Sequence, residues 1–244
     1  MIHKTKGIVL RAIKYGETSL VVNIFTELFG IQSYIVNGIR TSGKTSSKAN
    51  LFQPNAIVEM EVYHNELKNL QRIKEIKWSH LYRNILNDVT KNAVAVYMIE
   101  LLQKCLKQPE KNADLFQFSE DALIQLDAAG ESVTANFPLY FPLQLIHFFG
   151  FAIKNNYSEK NTILDLQEGL YTNVPPHHSY FLEGDQAYNI SQLLKVRHPN
   201  ELNELRLNKN ARREMLLAIQ TFYALHLQEF GTMKTLPILH EILS

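Results

Sequence analysis

Ile31-Gln32-Ser33-Tyr34-Ile35-Val36-Asn37, running into Gly38-Ile39-Arg40-Thr41-Ser42-Gly43-Lys44-Thr45-Ser46-Ser47-Lys48, is the stretch on which the fold turns. Its first half is a short β-rich run. Its second half carries three cations, no anion and little that can pack. Working outward, Lys6–Tyr15 and Ser19–Glu27 precede it, while Ala56–Tyr63 and Leu67–Trp78 follow, each rich in Val, Ile, Leu or Tyr. Gly30 and the triplet His64-Asn65-Glu66 stand where hairpin corners are needed. Five short strands in succession predict a small closed barrel of the OB type, here with a basic loop across one mouth. That arrangement grips phosphate and points to a DNA or RNA partner.

The same loop spells G-x-x-x-x-G-K-[ST] through Gly38, Gly43, Lys44 and Thr45. Such a pattern binds nucleotide when its amides wrap the phosphates and a helix starts at the Lys-Ser/Thr end. Here the residues from Ser46 to Gln53 show no apolar repeat at helical spacing before Pro54, and the next run is again a strand. The reading favours a phosphate-contacting loop, with a P-loop nucleotide hydrolase using Gly38–Thr45 as the lesser alternative.

The chain has 244 residues, 45% of them hydrophobic and 20% charged, enough for two modest domains with real cores. A formal net charge of +1 hides an asymmetry. Residues 1–80 hold eleven Lys/Arg against six Asp/Glu, and the remainder holds fourteen against eighteen. A basic module joined to a mildly acidic scaffold is the simplest account. Cys105 is the single cysteine, which excludes an intrachain disulfide and suggests a reducing compartment. No signal-peptide pattern opens the sequence, and the longest apolar stretch, Phe137–Ile153, is broken by Pro138, Pro142 and Gly150. The expected setting is cytoplasmic, without a membrane span.

After Trp78 the hydrophobic period changes from two to 3.6. Val94, Tyr97, Met98, Leu101, Leu102, Cys105 and Leu106 form one helical stripe that Pro109 ends. Further helices are expected at Asp114–Ala128, Leu139–Lys154, Ile190–Leu194, Pro199–Leu207, Ala211–Phe230 and Leu236–Leu243. Tyr171–Asn189 reads as irregular loop. The predicted class is therefore α+β multidomain, with a five-stranded OB-fold barrel over residues 1–79. An all-helical domain follows over 80–244, containing an irregular region at about 154–189.

The quoted motifs resemble the RecO family of bacterial recombination mediators. Lys6-Gly7-Ile8-Val9-Leu10 with Tyr15-Gly16-Glu17-Thr18-Ser19 is similar to the family's entry into its barrel. Ile24-Phe25-Thr26, Phe29-Gly30, Asn37-Gly38-Ile39-Arg40 and Phe52-Gln53-Pro54 continue the resemblance. So do Tyr97–Leu106 around Glu100, Phe149-Gly150-Phe151 and Phe222–Leu227 in the second half. The resemblance implies a mediator of DNA repair and homologous recombination without catalytic residues or cofactors. Such a protein binds single- and double-stranded DNA and anneals complementary strands. It engages the acidic, Phe-terminated tail of single-strand-binding protein and, with RecR, helps load recombinase. An OB-fold RNA-binding module is the main alternative. Many members carry a four-cysteine zinc site after the Phe-Gly-Phe segment. Lys154–Asn189 has no cysteine, so no metal is expected and packing of Tyr171, Tyr180 and Phe181 must hold the region.

Arg40, Lys44 and Lys48 are the leading phosphate contacts. Arg11 and Lys14 on the first strand, with Lys68, Arg72 and Lys74 on the fifth, form a second tier, the last three sharing strand parity. Tyr34 and Phe25 either stack on bases or fill the barrel. Arg212 and Arg213, beside Met215 and Ile219, suit a pocket for an acidic tail, or else open a solvated helix over a core stripe.

Overall fold

The computed structural model describes residues 1–39 and 46–243. Five strands close a barrel: β1 (Ile2–Tyr15), β2 (Ser19–Thr26), β3 (Gly30–Val36), β4 (Ile57–Tyr63) and β5 (Gln71–His80), in the order β1-β2-β3-β5-β4. Closure depends on the length of β1. Its first half pairs antiparallel with β4, from Ile2↔Tyr63 to Ile8↔Ile57, and its second half with β2, from Gly7↔Thr26 to Tyr15↔Ser19. A short parallel contact, Tyr34↔Gln71 and Ile35↔Arg72, seals β3 to β5. The OB-type barrel expected from the strand pattern is therefore present.

Alternate positions fill the interior with Val9, Val22, Ile24, Tyr34, Val58, Met60 and Val62, plugged at one end by Leu51 and Phe52. Gly7 has no room for a side chain. A Cβ there would lie 2.5 Å from Ile24 Cγ2 and 2.9 Å from Met60 Cε.

Three local features depart from the sequence expectations. β1 starts at Ile2 rather than Lys6, because pairing with β4 supplies backbone partners that a mixed polar run does not advertise. β5 starts at Gln71 rather than Leu67, because residues 65–68 turn on themselves around Asn65. Residues after the basic loop do coil, as one turn of α1 (Ser46–Ala49) and a 3-10 turn (Asn50–Phe52), despite lacking an apolar repeat. Burial of Leu51 and Phe52 in the barrel end drives that turn.

The remaining helices are α2 (Val89–Cys105), α3 (Ala113–Ala128), α4 (Glu131–Leu145), α5 (Gly184–Leu193), α6 (Lys209–His226) and α7 (Leu236–Ile242). The chain divides into two compact units, Met1–Arg83 with Leu102–Ile124, and Asn84–Leu101 with Gln125–Ser244. Within the first, Phe116 meets Phe25 edge-on at 5.5 Å, and Lys6 Nζ donates to both oxygens of the buried Glu120 at 3.0 Å. Gln103 Nε2 also reaches the Leu10 carbonyl at 2.6 Å.

Within the second unit, α4 packs on α6 and on the 3-10 turn at Pro199–Glu204. It begins at Glu131, eight residues before the expected Leu139, and runs through Pro138 and Pro142. The Pro142 carbonyl accepts both the Ile146 N–H and the Tyr223 hydroxyl, the latter at 2.7 Å, which ties α4 to α6.

The region expected to be irregular holds a three-stranded sheet, β6 (Ile163–Asp165), β7 (Leu170–Thr172) and β8 (Phe181–Leu182), in the order β7-β6-β8. α5 also starts at Gly184, within the expected loop. Tyr171 is buried and donates its hydroxyl to Ala187 O at 3.0 Å, while the Asn156 amide brackets its backbone with two 2.8 Å bonds. Tyr180 is instead exposed and Phe181 half-buried, so neither packs as expected. Asp165 takes over, accepting from Gln167 N and Glu168 N and lying 3.4 Å from His178 Nε2.

Candidate nucleic-acid interface

The basic loop leaves β3 at Asn37 and re-enters described structure at Ser46. Arg40 and Lys44 lie outside the described residues. Lys48 is exposed on α1 and lines a cleft of about 390 Å³ at the barrel mouth, together with Asn37, Arg72 and Lys74. α1 is a single turn, too short to present the aligned N-terminal amides and dipole that a nucleotide-binding P-loop uses.

Lys74 occupies a β-bulge. The register of β5 on β4 passes from Val62↔Ile73 to Glu61↔Glu75, so Lys74 is the extra residue. The bulge explains why strand parity looks muddled in the sequence. Ile73, Ile76 and Trp78 all pack on the core, although Ile73 and Ile76 are three residues apart. Arg72 and Lys74 thus share the outer side, but Lys74 is held by Glu61 at 2.7 Å, a hydrogen bond that raises its pKa. A phosphate reaching Lys74 competes with that carboxylate.

Lys68 is not on the strand. It belongs to the β4–β5 turn, which is braced from within by the buried Gln71. Gln71 Oε1 accepts from Asn65 N at 3.0 Å, while its Nε2 donates to Asn65 O at 2.9 Å and Lys68 O at 2.6 Å. Arg11 and Lys14 are exposed but separate. A bulge between Val9 and Arg11 returns Ala12 to the core, leaving Arg11 on the outer side and Lys14 beside Leu20 at the open end.

The outer face of β1, β4 and β5 is electrically compensated. Glu59 sits between Lys4 and Lys77, and its hydrogen bonds to them hold its carboxyl below the usual range. The basic excess is concentrated elsewhere, in three clefts that share walls. Arg72 joins the mouth cleft to one lined by Tyr63, His64 and Lys68. His64 and Lys68 join that in turn to a third, of about 500 Å³, which adds Phe29, Gln32 and Lys111. Among the described residues, none of Lys48, Lys68, Arg72 and Lys111 pairs with a carboxylate in a salt bridge. Lys111, from the α2–α3 connection, is a cation that strand reasoning missed, because only tertiary structure brings it to the barrel.

Base stacking on Tyr34 or Phe25 is overturned. Both are fully buried, Tyr34 inside the barrel and Phe25 against Phe116. Among the described residues the Tyr34 hydroxyl has no hydrogen-bond partner, and burial raises its pKa far above the ordinary value. The available aromatic surface is instead Tyr63, 48% exposed, and the His64 ring stacked on Phe29 at 3.9 Å.

On α6, Met215 and Ile219 are core residues and form no open pocket. Arg213 is exposed, whereas Arg212 is half-buried and donates to Leu207 O at 2.7 Å. Burial lowers the Arg212 pKa. Arg212, Lys209, Lys91 and Glu131 line a cleft of about 550 Å³ within the second unit. Burial also pushes the Cys105 thiol up to about 12, so it is no nucleophile. No helix among the described residues is long and apolar enough to cross a membrane.

Two family models match the chain, Recombination protein O N terminal over residues 1–82 and Recombination protein O C terminal over residues 86–235. The DNA repair protein RecO of Azobacteroides pseudotrichonymphae is 31% identical over 242 residues, 99% of each chain. That of Bacteroides fragilis is 32% identical over 243 residues, again 99% of both. That of Phocaeicola vulgatus is 30% identical over 244 residues, spanning both chains fully.

Proposed function

This chain belongs to the RecO family of DNA repair proteins, and on that premise we propose that it is a recombination mediator acting by binding, without catalytic turnover or cofactor. The observation that supports the reading is the run of cation-bearing clefts on the barrel, from Lys48 through Arg72 to Lys68. Flexible amines and a guanidinium there bind phosphate by releasing counterions, and this needs no base recognition. In this reading the barrel, residues 1–79, holds single- and double-stranded DNA so that complementary strands anneal. Residues 80–244 recruit partners. Arg40 and Lys44 complete the basic loop, with Arg11, Lys14 and Lys74 as peripheral contacts.

The partners are those the family resemblance implies: the acidic tail of single-strand-binding protein, RecR, and a recombinase loaded onto coated strands in the cytoplasm. The cleft that Lys209 and Arg212 line offers the tail its cations, with Asp88 and Glu131 on the same wall and Lys91 buried on the Asp127 carbonyl, while Arg213 lies exposed on the same helix.

Fluorescence anisotropy of a labelled single-stranded oligomer at two salt concentrations tests the DNA role. Binding is expected without nucleotide and to weaken with salt, with a slope of roughly −0.7 per phosphate neutralised. Reversing Arg40, Lys44 and Lys48 to Glu is expected to reduce affinity and slope while leaving the fold intact. A triple variant that binds normally at physiological salt removes the loop from the site. Preference for RNA over DNA of the same sequence would favour the RNA-binding alternative.

A further inference from the structure

Leu67 stands at the tip of the β4–β5 turn, 94% exposed. An exposed leucine is unremarkable on a loop that moves, but this turn is built. Leu67 N donates to Asn65 Oδ1 at 2.9 Å, and Lys68 N donates to Asn65 O at 3.0 Å. Beneath them Gln71, 3% exposed, commits its whole side-chain amide to the turn through three hydrogen bonds to Asn65 and Lys68. A buried amide so used holds an apolar side chain out in water, where it gains nothing for folding. Its surroundings mix cationic and aromatic groups with the exposed apolar side chains of Met1 and Leu70. Lys68 follows it directly, Arg72 lines the adjoining cleft, and Tyr63 is exposed on the same wall, with Glu66 the acidic group among them.

We propose that Leu67 is a base-unstacking wedge, inserted between neighbouring bases of a nucleic acid whose phosphates are held by Lys68 and Arg72. The inference rests on the DNA reading above and adds to it. Apolar side chains on nucleic-acid-binding proteins enter base steps in this way, and the cost of unstacking is offset by the phosphate contacts on either side. The net positive rim favours a polyanion over an apolar protein surface. A rigid tip is what insertion requires, because a mobile one would fold its leucine back onto the rim. Opened bases also suit a protein that pairs one strand with another, since each base edge must be free before it finds its complement.

The test is an oligomer carrying 2-aminopurine, whose fluorescence rises when its neighbours unstack, titrated with the full chain, L67S, L67F and K68A. Anisotropy of the same oligomer reports affinity. The expected result is a rise with the full chain that L67S loses and L67F keeps. K68A is expected to weaken affinity and lower the salt slope by ~0.7, yet restore the full rise at saturation. Leu67 contributes nothing to the core, so L67S should keep the thermal midpoint of the full chain. An L67S rise equal to that of the full chain overturns the wedge. So does tight DNA binding by the full chain without any rise, which leaves the DNA role standing. No DNA binding by the full chain overturns both. Loss of a protein partner by L67S, with the fluorescence rise intact, reassigns the tip to protein docking and overturns the wedge.

Discussion

The carboxylate of Glu100 on α2 clamps the start of α7 at Thr235, accepting Thr235 N at 2.8 Å and Thr235 Oγ1 at 2.6 Å. Lys234 N adds a third bond at 2.7 Å. α7 has seven residues and is too short to persist alone, so this anchor and the burial of Leu236 and Leu239 hold it.

Replacing Glu100 with Ala is expected to cost about 3 kcal/mol, the range for charged hydrogen bonds left unmade at a half-buried site. Denaturant unfolding measures the loss. Limited proteolysis should show cleavage near residues 227–235 in the variant before the rest of the chain is touched.

Lys6 and Glu120 form a pair of unequal burial, the lysine side chain 43% and the glutamate 4% exposed. Lys6→Met strands a carboxylate out of water and is expected to destabilise by about 3 kcal/mol. Adding Glu120→Gln to Lys6→Met should recover much of that loss, because the stranded charge and not the missing contact dominates. A double variant no more stable than Lys6→Met would refute this account.

Two glycines with positive φ separate strain from space. Gly30, at φ +64°, would place a Cβ 2.2 Å from the backbone oxygen of Glu110, whereas a Cβ on Gly38, at φ +71°, would meet no atom of the described residues within 4 Å. Gly38→Ala should cost about 1 kcal/mol, the conformational term alone. Gly30→Ala must also displace backbone and is expected to cost at least about twice as much. Thermal unfolding of the two variants, compared side by side, checks the ranking.

His64 stacks on Phe29 and lies 6.3 Å from the His3 ring. Burial, then the charge of His3 and the N-terminus, lowers its pKa from 6.5, with Glu66 opposing. The unfolded chain therefore takes up the proton first, and stability falls as pH drops below about 6.5 and on through the lowered folded value. His64→Phe, which keeps the stack without the titration, should flatten that part of the profile. An unchanged slope in this variant between pH 7 and 5 would assign the effect elsewhere.

Much of the fold was legible because it depends on local chemistry. Alternation in Val22, Ile24 and in Val58, Met60, Val62 marks strands whose inner faces must be apolar. The stripe from Val94 to Leu106 marks a helix for the same reason at a different period. The bulge at Lys74 was not legible, because an extra residue changes parity without changing composition. Nor was the sheet at Ile163–Leu182, whose strands of two or three residues carry too little pattern to register. Lys111 illustrates the limit for the candidate site, since nothing in Pro109-Glu110-Lys111 announces proximity to a barrel cleft.

By itself the sequence determined the closed barrel, most of the helices that follow it and the basic character of the first eighty residues, while its ordered motifs pointed to the family. These follow from periodicity, charge and residue type, which any segment carries without its neighbours. Only the tertiary structure decided which cations stay uncompensated, that Tyr34 and Phe25 are core, that α6 spends Met215 and Ile219 on packing, and that Leu67 is held in water. The first of those outcomes depend on partners distant in the chain, Glu61 for Lys74 and Phe116 for Phe25. Leu67 depends instead on a local turn braced by the buried amide of Gln71, which looks in the sequence like one more polar residue at the start of a strand.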